Sequence, residues 1–335
     1  MKLVSAVPLD EGQRARLREL VPDLQIADSA SYISDEIGHL IDADTEILYA
    51  FRAPGDLMRR APGLRWLQLL GAGCEHLAGC DIMRSSAAIT TGSGIGATPI
   101  AEYVLGVMLA HYRWLPQAYR AQMQREWLTQ ADVARASREL RRRTVGIVGY
   151  GSIGREVARL ARPFGTHILA LKRDPRTRAE TGYAVEDTGD PAGGIPEKFY
   201  GPDELLTMLP ECDVVVLSVP ATKETRGLMG PREFAAMKPG SFLVNIARGS
   251  VIDEEALMVA LKDGPMAGAA LDVFEHEPLP KESPLWDFEN LVVTPHISGA
   301  SRAHLRRAFE LFMDNLHRFT SDEPLLNLVD KERGY

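Results

Sequence analysis

The stretch that decides the fold is TVGIVGYGSIG, residues 144–154. It predicts a short apolar strand that runs into a glycine turn and then into a helix over residues 152–161. Gly149, Gly151 and Gly154 make a G-x-G-x-x-G, in which the first glycine allows the turn, the second lets the backbone approach a pyrophosphate, and the third lets the helix pack on the strand. Such a motif also occurs in ordinary turns, but the strand before it and the helix after it favour a dinucleotide site.

The helix after the glycines begins with Ser152 and Ile153. The first N–H groups of a helix lack partners within it and carry a partial positive charge. We therefore expect these two residues, together with the three glycines, to bind the phosphates of the dinucleotide.

Length and composition narrow the class of protein. A chain of 335 residues, 45% hydrophobic and 25% charged, predicts about two globular domains. The net charge of −8 argues against a protein that binds nucleic acid or an anionic membrane surface. No apolar run reaches the length of a membrane span, and the N-terminus turns polar too soon for a signal peptide. The three cysteines form no C-x-x-C motif, so we expect no disulfide and no bound metal, in a cytoplasmic protein.

The first 96 residues alternate apolar strands with helical patterns, which predicts a parallel sheet. The predicted strands are 2–7, 45–51 and 64–70, and the predicted helices are 10–20 and 55–60. Two loops follow strand ends, where ligands bind in open α/β sheets. They are Phe51–Pro54, which contains Arg52, and Gly71–Cys74, which contains Ala72 and Gly73. Plain turns would explain both loops equally well.

The run GSGIGATP, residues 92–99, does not spell G-x-G-x-x-G and is interpreted as a hinge between domains. A long helix is expected to begin with Thr98 as its N-cap. It carries His111 on its apolar face, where a histidine of the core is more common than a ligand. We expect the chain to stay helical as far as Arg143.

The rest of the chain repeats the alternation of strands and helices with one interruption. Residues 173–203 are polar, rich in glycine and proline, and without a steady period, so we interpret them as an irregular insertion that forms a surface arm. The predicted strands are 167–172, 213–219, 241–246, 267–272 and 291–294, and the predicted helices are 203–209, 231–237, 254–262 and 301–319. The last helix would return the chain to the first domain.

Three polar residues follow the ends of late strands: Arg248, Glu277 and His296. Each alone has a structural explanation, but the carboxyl ends of parallel strands share one edge, the edge at which a dinucleotide lies. Histidine exchanges a proton near neutral pH, a neighbouring glutamate favours its charged form, and arginine binds a carboxylate with two parallel hydrogen bonds. This set of groups suits hydride transfer to a 2-oxo acid.

Several longer stretches are specific in their order: VGIVGYGSIGREVA, MKPGSFLVNIARGSVIDEEAL, ALDVFEHEPLP and SPLWDFENLVVTPHISG, preceded by LQLLGAGCEHL and ATPIAEYVLGVML. With them, the chain resembles the D-isomer-specific 2-hydroxyacid dehydrogenase family over about residues 64–317. The resemblance implies that Arg248 binds the substrate carboxylate and carbonyl. It also implies that His296 donates a proton to the carbonyl oxygen and that Glu277 is the partner of His296.

The resemblance further implies an α/β fold of two doubly wound parallel-sheet domains, Rossmann-like and flavodoxin-like, with an active-site cleft between them. Residues 1–97 plus 300–335 would form the substrate domain, and residues 98–299 the dinucleotide-binding domain. In the substrate domain, the backbone at Ala72 and Gly73 would hold the substrate carboxylate. Family members are usually homodimers, with the helix after the first hinge in the interface.

The residue type at the end of the second strand distinguishes NAD from NADP, because an acid binds the ribose hydroxyls and a base binds the 2′-phosphate. Here Lys172 occupies the usual acidic position, Arg173 follows it, and Asp174 comes two residues late. We therefore favour NADP, while Asp174 keeps NAD open. The other expected cofactor contacts are Val219, Pro220, Thr225, Ala247, Arg248, Asp272, His296, Ser298 and Gly299.

Other functions stay open at this point. NAD(P)-sensing corepressors share the fold and keep the arginine, glutamate and histidine, but their long disordered tails are not evident in this sequence. A dehydrogenase of another small anion such as phosphite is a second alternative, whereas a formate dehydrogenase would have an amide in place of Glu277. The 2-oxo acid itself is open between glyoxylate, hydroxypyruvate and larger acids. Arg52 would bind a second anionic group of a larger substrate or would be solvated.

Overall fold

The chain forms two compact units, seen in a computed structural model that describes residues 1–29, 34–180 and 182–334. Unit 1 consists of Met1–Gly96 and Ser301–Tyr335, and unit 2 of Ala97–Ala300. Each unit has its own parallel sheet, with apolar side chains buried on its faces. Two parallel-sheet α/β domains are therefore confirmed.

Unit 1 is built on a flavodoxin-like sheet. Its strands are β1 (Lys2–Ser5), β2 (Gln25–Asp28), β3 (Ile47–Ala50), β4 (Trp66–Leu69) and β5 (Ala88–Thr90), and the helices between them are α1 (Glu11–Leu20) and α2 (Leu57–Arg60). Within the described residues, five parallel strands lie in the order β2-β1-β3-β4-β5. The strand order reverses between β1 and β3, which makes the loop after β3 a natural ligand position.

Unit 2 has the strand order of a dinucleotide-binding sheet. Its helices are α3 (Ala97–Tyr112), α4 (Leu115–Gln124), α5 (Gln130–Ala136), α6 (Ser152–Ala161), α7 (Leu205–Met208), α8 (Pro231–Ala235) and α9 (Glu254–Lys262). Its strands are β6 (Thr144–Val148), β7 (His167–Leu171), β8 (Lys198–Tyr200), β9 (Val214–Leu217), β10 (Phe242–Asn245), β11 (Gly268–Leu271) and β12 (Leu291–Val293). The parallel order β12-β11-β10-β9-β6-β7-β8 reverses between β6 and β9, beside the glycine turn.

The helix α10 (His304–Thr320) returns the chain to unit 1, as expected. Phe312 of this helix stacks on Tyr49 and on Trp66, with ring centroids 4.5 and 5.2 Å apart. Its buried Asn315 donates from Nδ2 to Gln68 Oε1 at 2.9 Å. The helix thus covers the face of β3 and β4. None of the helices in the described part of the chain is both long and apolar enough to cross a membrane.

Several local expectations were wrong. The strands β2 and β5 were not predicted, because they are four and three residues long and β2 is exposed or half-buried at the sheet edge, so neither shows a clear period. Thr98 lies inside α3 rather than capping it. Helix α5 ends at Ala136, and the following residues are not helical: the N–H of Arg138 donates to Tyr112 O, and that of Arg142 donates to Gly165 O.

His111 is half-buried and packs against the core of unit 2, as a structural rather than a ligand-binding residue. Its ring stacks on Phe242 with 4.0 Å between centroids and 17° between planes. Burial lowers the pKa of His111 to about 4, and the Arg138 cation acts in the same direction. The histidine is therefore neutral in the folded protein at neutral pH.

This half-buried histidine predicts that acid lowers the stability of the fold. Its pKa is about 4 in the folded chain against 6.5 unperturbed, so on acidification the unfolded chain takes up the proton first. The stability that neutral His111 contributes is complete above pH 6.5 and falls as the pH drops toward about 4. Between pH 7 and about pH 4.5, urea unfolding of the wild type should lose about 1–3 kcal/mol more than His111→Phe, which keeps a ring on Phe242. Equal losses in the two proteins would show that His111 does not titrate in this way.

Candidate active site

The glycine turn between β6 and α6 has the geometry of a phosphate site. Gly149 has φ +103°, and a Cβ there would meet Ser218 O at 2.7 Å. A Cβ at Gly154 would meet Gly149 O at 2.4 Å and Ile147 Cγ2 at 2.8 Å, so both positions require glycine. At Gly151, by contrast, a Cβ would meet no heavy atom of the described residues within 4 Å. Open space next to the first N–H groups of a helix suits a phosphate.

The loop after β7 carries Lys172 and Arg173. Lys172 is half-buried, and its Nζ donates to Thr177 O at 2.5 Å. The carboxylate of Asp174 accepts the N–H of Arg176 at 3.1 Å and the hydroxyl of Thr177 at 2.7 Å. Asp174, the one acid among residues 172–177, is therefore hydrogen-bonded within the loop. The cations among these residues are Lys172, Arg173 and Arg176.

His296 and Glu277 form a pair at the carboxyl edge of the unit 2 sheet. Nδ1 of His296 lies 2.8 Å from Glu277 Oε2, and Glu277 Oε1 accepts the N–H of Phe274 at 3.0 Å. Both carboxylate oxygens thus have partners, which fixes the carboxylate. The side chains are 51% and 36% exposed, so the pair is open to a ligand. With the Nδ1 proton donated to Glu277, Nε2 is available for proton transfer.

The backbone at His296 is held by the strand next to it. His296 has φ +54°, a left-handed conformation that is uncommon outside glycine. The N–H of His296 donates to Asp272 O at 2.9 Å. The buried carboxylate of Asp272 accepts the N–H groups of Ile297 and Ser298 at 2.9 and 2.8 Å and the hydroxyl of Thr294 at 2.6 Å. Asp272 therefore positions the histidine loop; its contact with the cofactor stays a prediction.

Arg248 follows β10, and its loop lies against the loop that carries the glutamate. Its Nη1 donates to Ala247 O at 2.7 Å, and its carbonyl accepts from Asn245 Nδ2 at 3.1 Å. A Cβ at the next residue, Gly249, would lie 1.8 Å from the carbonyl carbon of Phe274, so the two backbones touch there. The structure thus brings the loops of the three predicted catalytic residues together at one edge.

The other predicted site residues lie at strand ends in both units. In unit 2, the loops at the same carboxyl edge contain Val219, Pro220, Thr225, Ala247, Ser298 and Gly299. In unit 1, Arg52 follows β3, and Ala72 and Gly73 follow β4. Burial lowers the pKa of His76, in the loop after β4, and the Arg52 cation lowers it further. Glu75, in the same loop, acts on His76 in the opposite direction, so the binding of an anion at these loops stays a prediction.

Two supporting residues of the site were not predicted. The hydroxyl of Tyr103 lies 2.8 Å from Thr294 Oγ1, and Thr294 in turn donates to Asp272. Thr294 could have been found, since it directly precedes the Pro-His of the motif. Tyr103 lies on α3, far from the motif in sequence, and carries no local signal.

The segment predicted as a surface arm is also corrected by the structure, because it packs on the glycine turn. Tyr150, between the first two glycines, donates its hydroxyl to Asp190 at 2.7 Å. The N–H of Gly189 donates to Glu156 at 2.6 Å, and Lys198–Tyr200 adds the edge strand β8. These contacts are polar and irregularly spaced, so no hydrophobic period in the sequence predicts them.

Comparisons with known proteins agree with this arrangement. Residues 105–298 match the family model described as D-isomer specific 2-hydroxyacid dehydrogenase, NAD binding domain. A glyoxylate reductase of Thermococcus gammatolerans is 35% identical over 285 residues, which cover 84% of this chain and 80% of that protein. A solved D-isomer specific 2-hydroxyacid dehydrogenase from Xanthobacter autotrophicus, in complex with NADPH and MES, is 30% identical with a TM-score of 0.79, covering 100% of this chain and 99% of the other. An NADPH-dependent glyoxylate/hydroxypyruvate reductase from Sinorhizobium meliloti, in complex with NADP and sulfate, is 26% identical with a TM-score of 0.78 and the same coverage.

Proposed function

The chain belongs to the D-isomer specific 2-hydroxyacid dehydrogenase family, and from this premise we propose that it uses NADPH to reduce glyoxylate, hydroxypyruvate or a similar small 2-oxo acid to the D-2-hydroxy acid. It is an oxidoreductase that transfers hydride between NAD(P)H and a 2-oxo acid. The observation that carries the proposal is the 2.8 Å contact between His296 Nδ1 and Glu277 Oε2. It lies at the carboxyl edge of the unit 2 sheet, the same edge at which the glycine turn follows β6. The relatives give no support to a corepressor or a phosphite dehydrogenase.

Each residue of the site has a chemical role in this proposal. Glu277 holds Nδ1 of His296, and Nε2 donates the proton that the carbonyl oxygen takes up. Arg248 binds the carboxylate with two parallel hydrogen bonds and polarises the adjacent carbonyl. For Ala72 and Gly73, in unit 1, binding of the substrate carboxylate by their N–H groups stays a prediction. A bound nicotinamide supplies the hydride to C2 of the 2-oxo acid.

The preference for NADPH is supported by the loop after β7. Lys172 and Arg173 supply cations, and the carboxylate of Asp174 is turned into the loop. A 2′-phosphate is bound well by such cations, whereas the ribose hydroxyls of NAD need a free acid. Two similar structures hold NADPH or NADP.

The double variant Lys172→Ala/Arg173→Ala should lower kcat/KM with NADPH about 100- to 10,000-fold and leave kcat/KM with NADH nearly unchanged. The reason is that each charged contact to the phosphate contributes about 1.5–3 kcal/mol, which NADH cannot gain. Arg176→Ala, whose side chain is 94% exposed and pairs with Asp174, is the matched control. The assay is oxidation of NADPH and NADH with glyoxylate, hydroxypyruvate, pyruvate and phenylpyruvate. A wild-type preference for NADH would contradict the proposed cofactor.

We also propose a homodimer formed through the region of α3–α5. Four large apolar side chains at intervals of four residues are exposed: Leu115 (54%), Tyr119 (62%), Met123 (70%) and Trp127 (97%). This spacing places those within α4 on one face of the helix, with Trp127 just beyond its end. Contiguous apolar side chains of this size on a surface are typical of protein interfaces.

The two domain roles, substrate and dinucleotide binding, and a cytoplasmic location likewise stay predictions.

A further inference from the structure

Arg155, the residue after the third glycine, is bound on three sides by a part of the chain more than twenty residues away. It is 2% exposed. Its Nε forms an ion pair with Glu180, 2.6 Å from Oε2 but without the geometry of a hydrogen bond, while its Nη2 donates to Arg178 O at 2.6 Å and its Nη1 donates to Asp190 O. A buried guanidinium is stable only when its charge is paired, as the carboxylate of Glu180 pairs it here. The three contacts therefore bind helix α6 firmly to that part of the chain.

We call residues 178–180 and 182–195 the docked segment. The neighbours of Arg155 contact it as well: the hydroxyl of Tyr150 donates to Asp190, and Glu156 accepts the N–H of Gly189. The guanidinium of Arg155 also lies over the ring of Tyr150, 4.9 Å from its centroid. The docked segment is thus joined both to the glycine turn and to the helix that follows it.

The same contacts reach the loop that carries the predicted phosphate ligands. Lys172 donates to Thr177 O, and the next carbonyl, that of Arg178, is the one that Arg155 binds. The loop is therefore fixed at its start by the pairing of β7 with β8 and at its end by Arg155. An ammonium has three N–H donors, so Lys172 can keep Thr177 and still bind a phosphate oxygen.

We propose that Arg155 is a positioning residue for cofactor selectivity, which holds Lys172 and Arg173 at the place, relative to the glycine turn, where they bind the 2′-phosphate of NADPH. The proposal rests on the NADPH preference proposed above. Only arginine suits this position, because its planar fork donates to two carbonyls at once while its charge pairs with Glu180, whereas lysine is a point charge. NADH lacks the 2′-phosphate and depends on the turn itself, so it loses less when the loop moves.

The test is the dissociation constant of NADPH and of NADH, measured by the fluorescence of the bound dinucleotide, for the full-length wild type, Arg155→Met and Arg155→Lys. Arg155→Met should raise Kd for NADPH at least about tenfold and Kd for NADH less than about threefold. Arg155→Lys should give an intermediate loss, because lysine restores the charge but not the fork. Hydrogen exchange of the docked segment, followed by mass spectrometry, should be faster in Arg155→Lys than in the wild type and fastest in Arg155→Met.

Arg162→Met is the matched control, since this arginine follows the same helix and pairs with Glu197 outside the docked segment. Should Arg155→Met fail to fold, Glu180→Gln removes one charge of the network and should still lower the NADPH-to-NADH selectivity. Equal increases of both dissociation constants, or no change in either, would overturn the positioning role. A wild type that binds NADH more tightly overturns the proposed cofactor preference as well, so the two failures are distinguishable.

Discussion

His296→Asn is expected to lower kcat by about 100- to 10,000-fold while leaving the dissociation constant of NADPH within about twofold. The proposed proton donor is lost, but the glycine turn and the loop after β7 are untouched. Asparagine is chosen because it tolerates the left-handed backbone that residue 296 adopts, at φ +54°. The loss therefore measures the imidazole rather than a change in the loop. The measurement is steady-state turnover of a 2-oxo acid with NADPH, combined with a dinucleotide titration.

His276→Ala is the matched control for this experiment. His276 is an exposed histidine in the same loop as Glu277, and its removal should change kcat by less than about twofold. If His296→Asn kept wild-type turnover, His296 would not be the proton donor, whatever its contact with Glu277.

Arg248→Met should have an effect of similar size, but on kcat/KM for the 2-oxo acid. Two hydrogen bonds between a guanidinium and a carboxylate contribute about 3–6 kcal/mol together, so the loss should be about 100- to 10,000-fold. Arg248→Lys should recover only part of it, because an ammonium cannot form two parallel hydrogen bonds with a carboxylate. The assay is the dependence of turnover on 2-oxo acid concentration at saturating NADPH.

A simple aldehyde of similar size provides the control for Arg248, since it has no carboxylate to bind. The slow reduction of such an aldehyde should fall much less in Arg248→Met than that of the 2-oxo acid. A loss that is equal for both substrates would assign Arg248 to the carbonyl or to the structure of the loop instead of to the carboxylate.

The parts of the site that the sequence predicts are those in which one residue type is required. Gly149 and Gly154 are needed because the backbone approaches so closely there that no Cβ fits. Arg248 and His296 stand out because each is polar and follows an apolar strand, where a parallel sheet presents its ligands. Such requirements are local, and they can be recognised without coordinates.

The parts that escape prediction depend on backbone acceptors and donors, which every residue has. Asp272 binds the N–H groups of Ile297 and Ser298, and Arg155 binds the carbonyls of Arg178 and Asp190. No pattern in residue types marks these partners. For the same reason, the glycine- and proline-rich stretch without a period predicts a surface arm, although polar contacts hold it in place.

The contacts of Arg155 make two features of the chain depend on each other. One is the length of the connection between β7 and β8, and the other is the residue type at position 155. Shortening the connection alone would leave a guanidinium in the interior without its acceptors, at a cost of about 3–5 kcal/mol. Replacing the arginine alone would leave the carboxylate of Glu180 and the carbonyls of Arg178 and Asp190 without this partner. Deletion of the connection should therefore be tolerated only together with an uncharged side chain at position 155, as a pair of compensating changes.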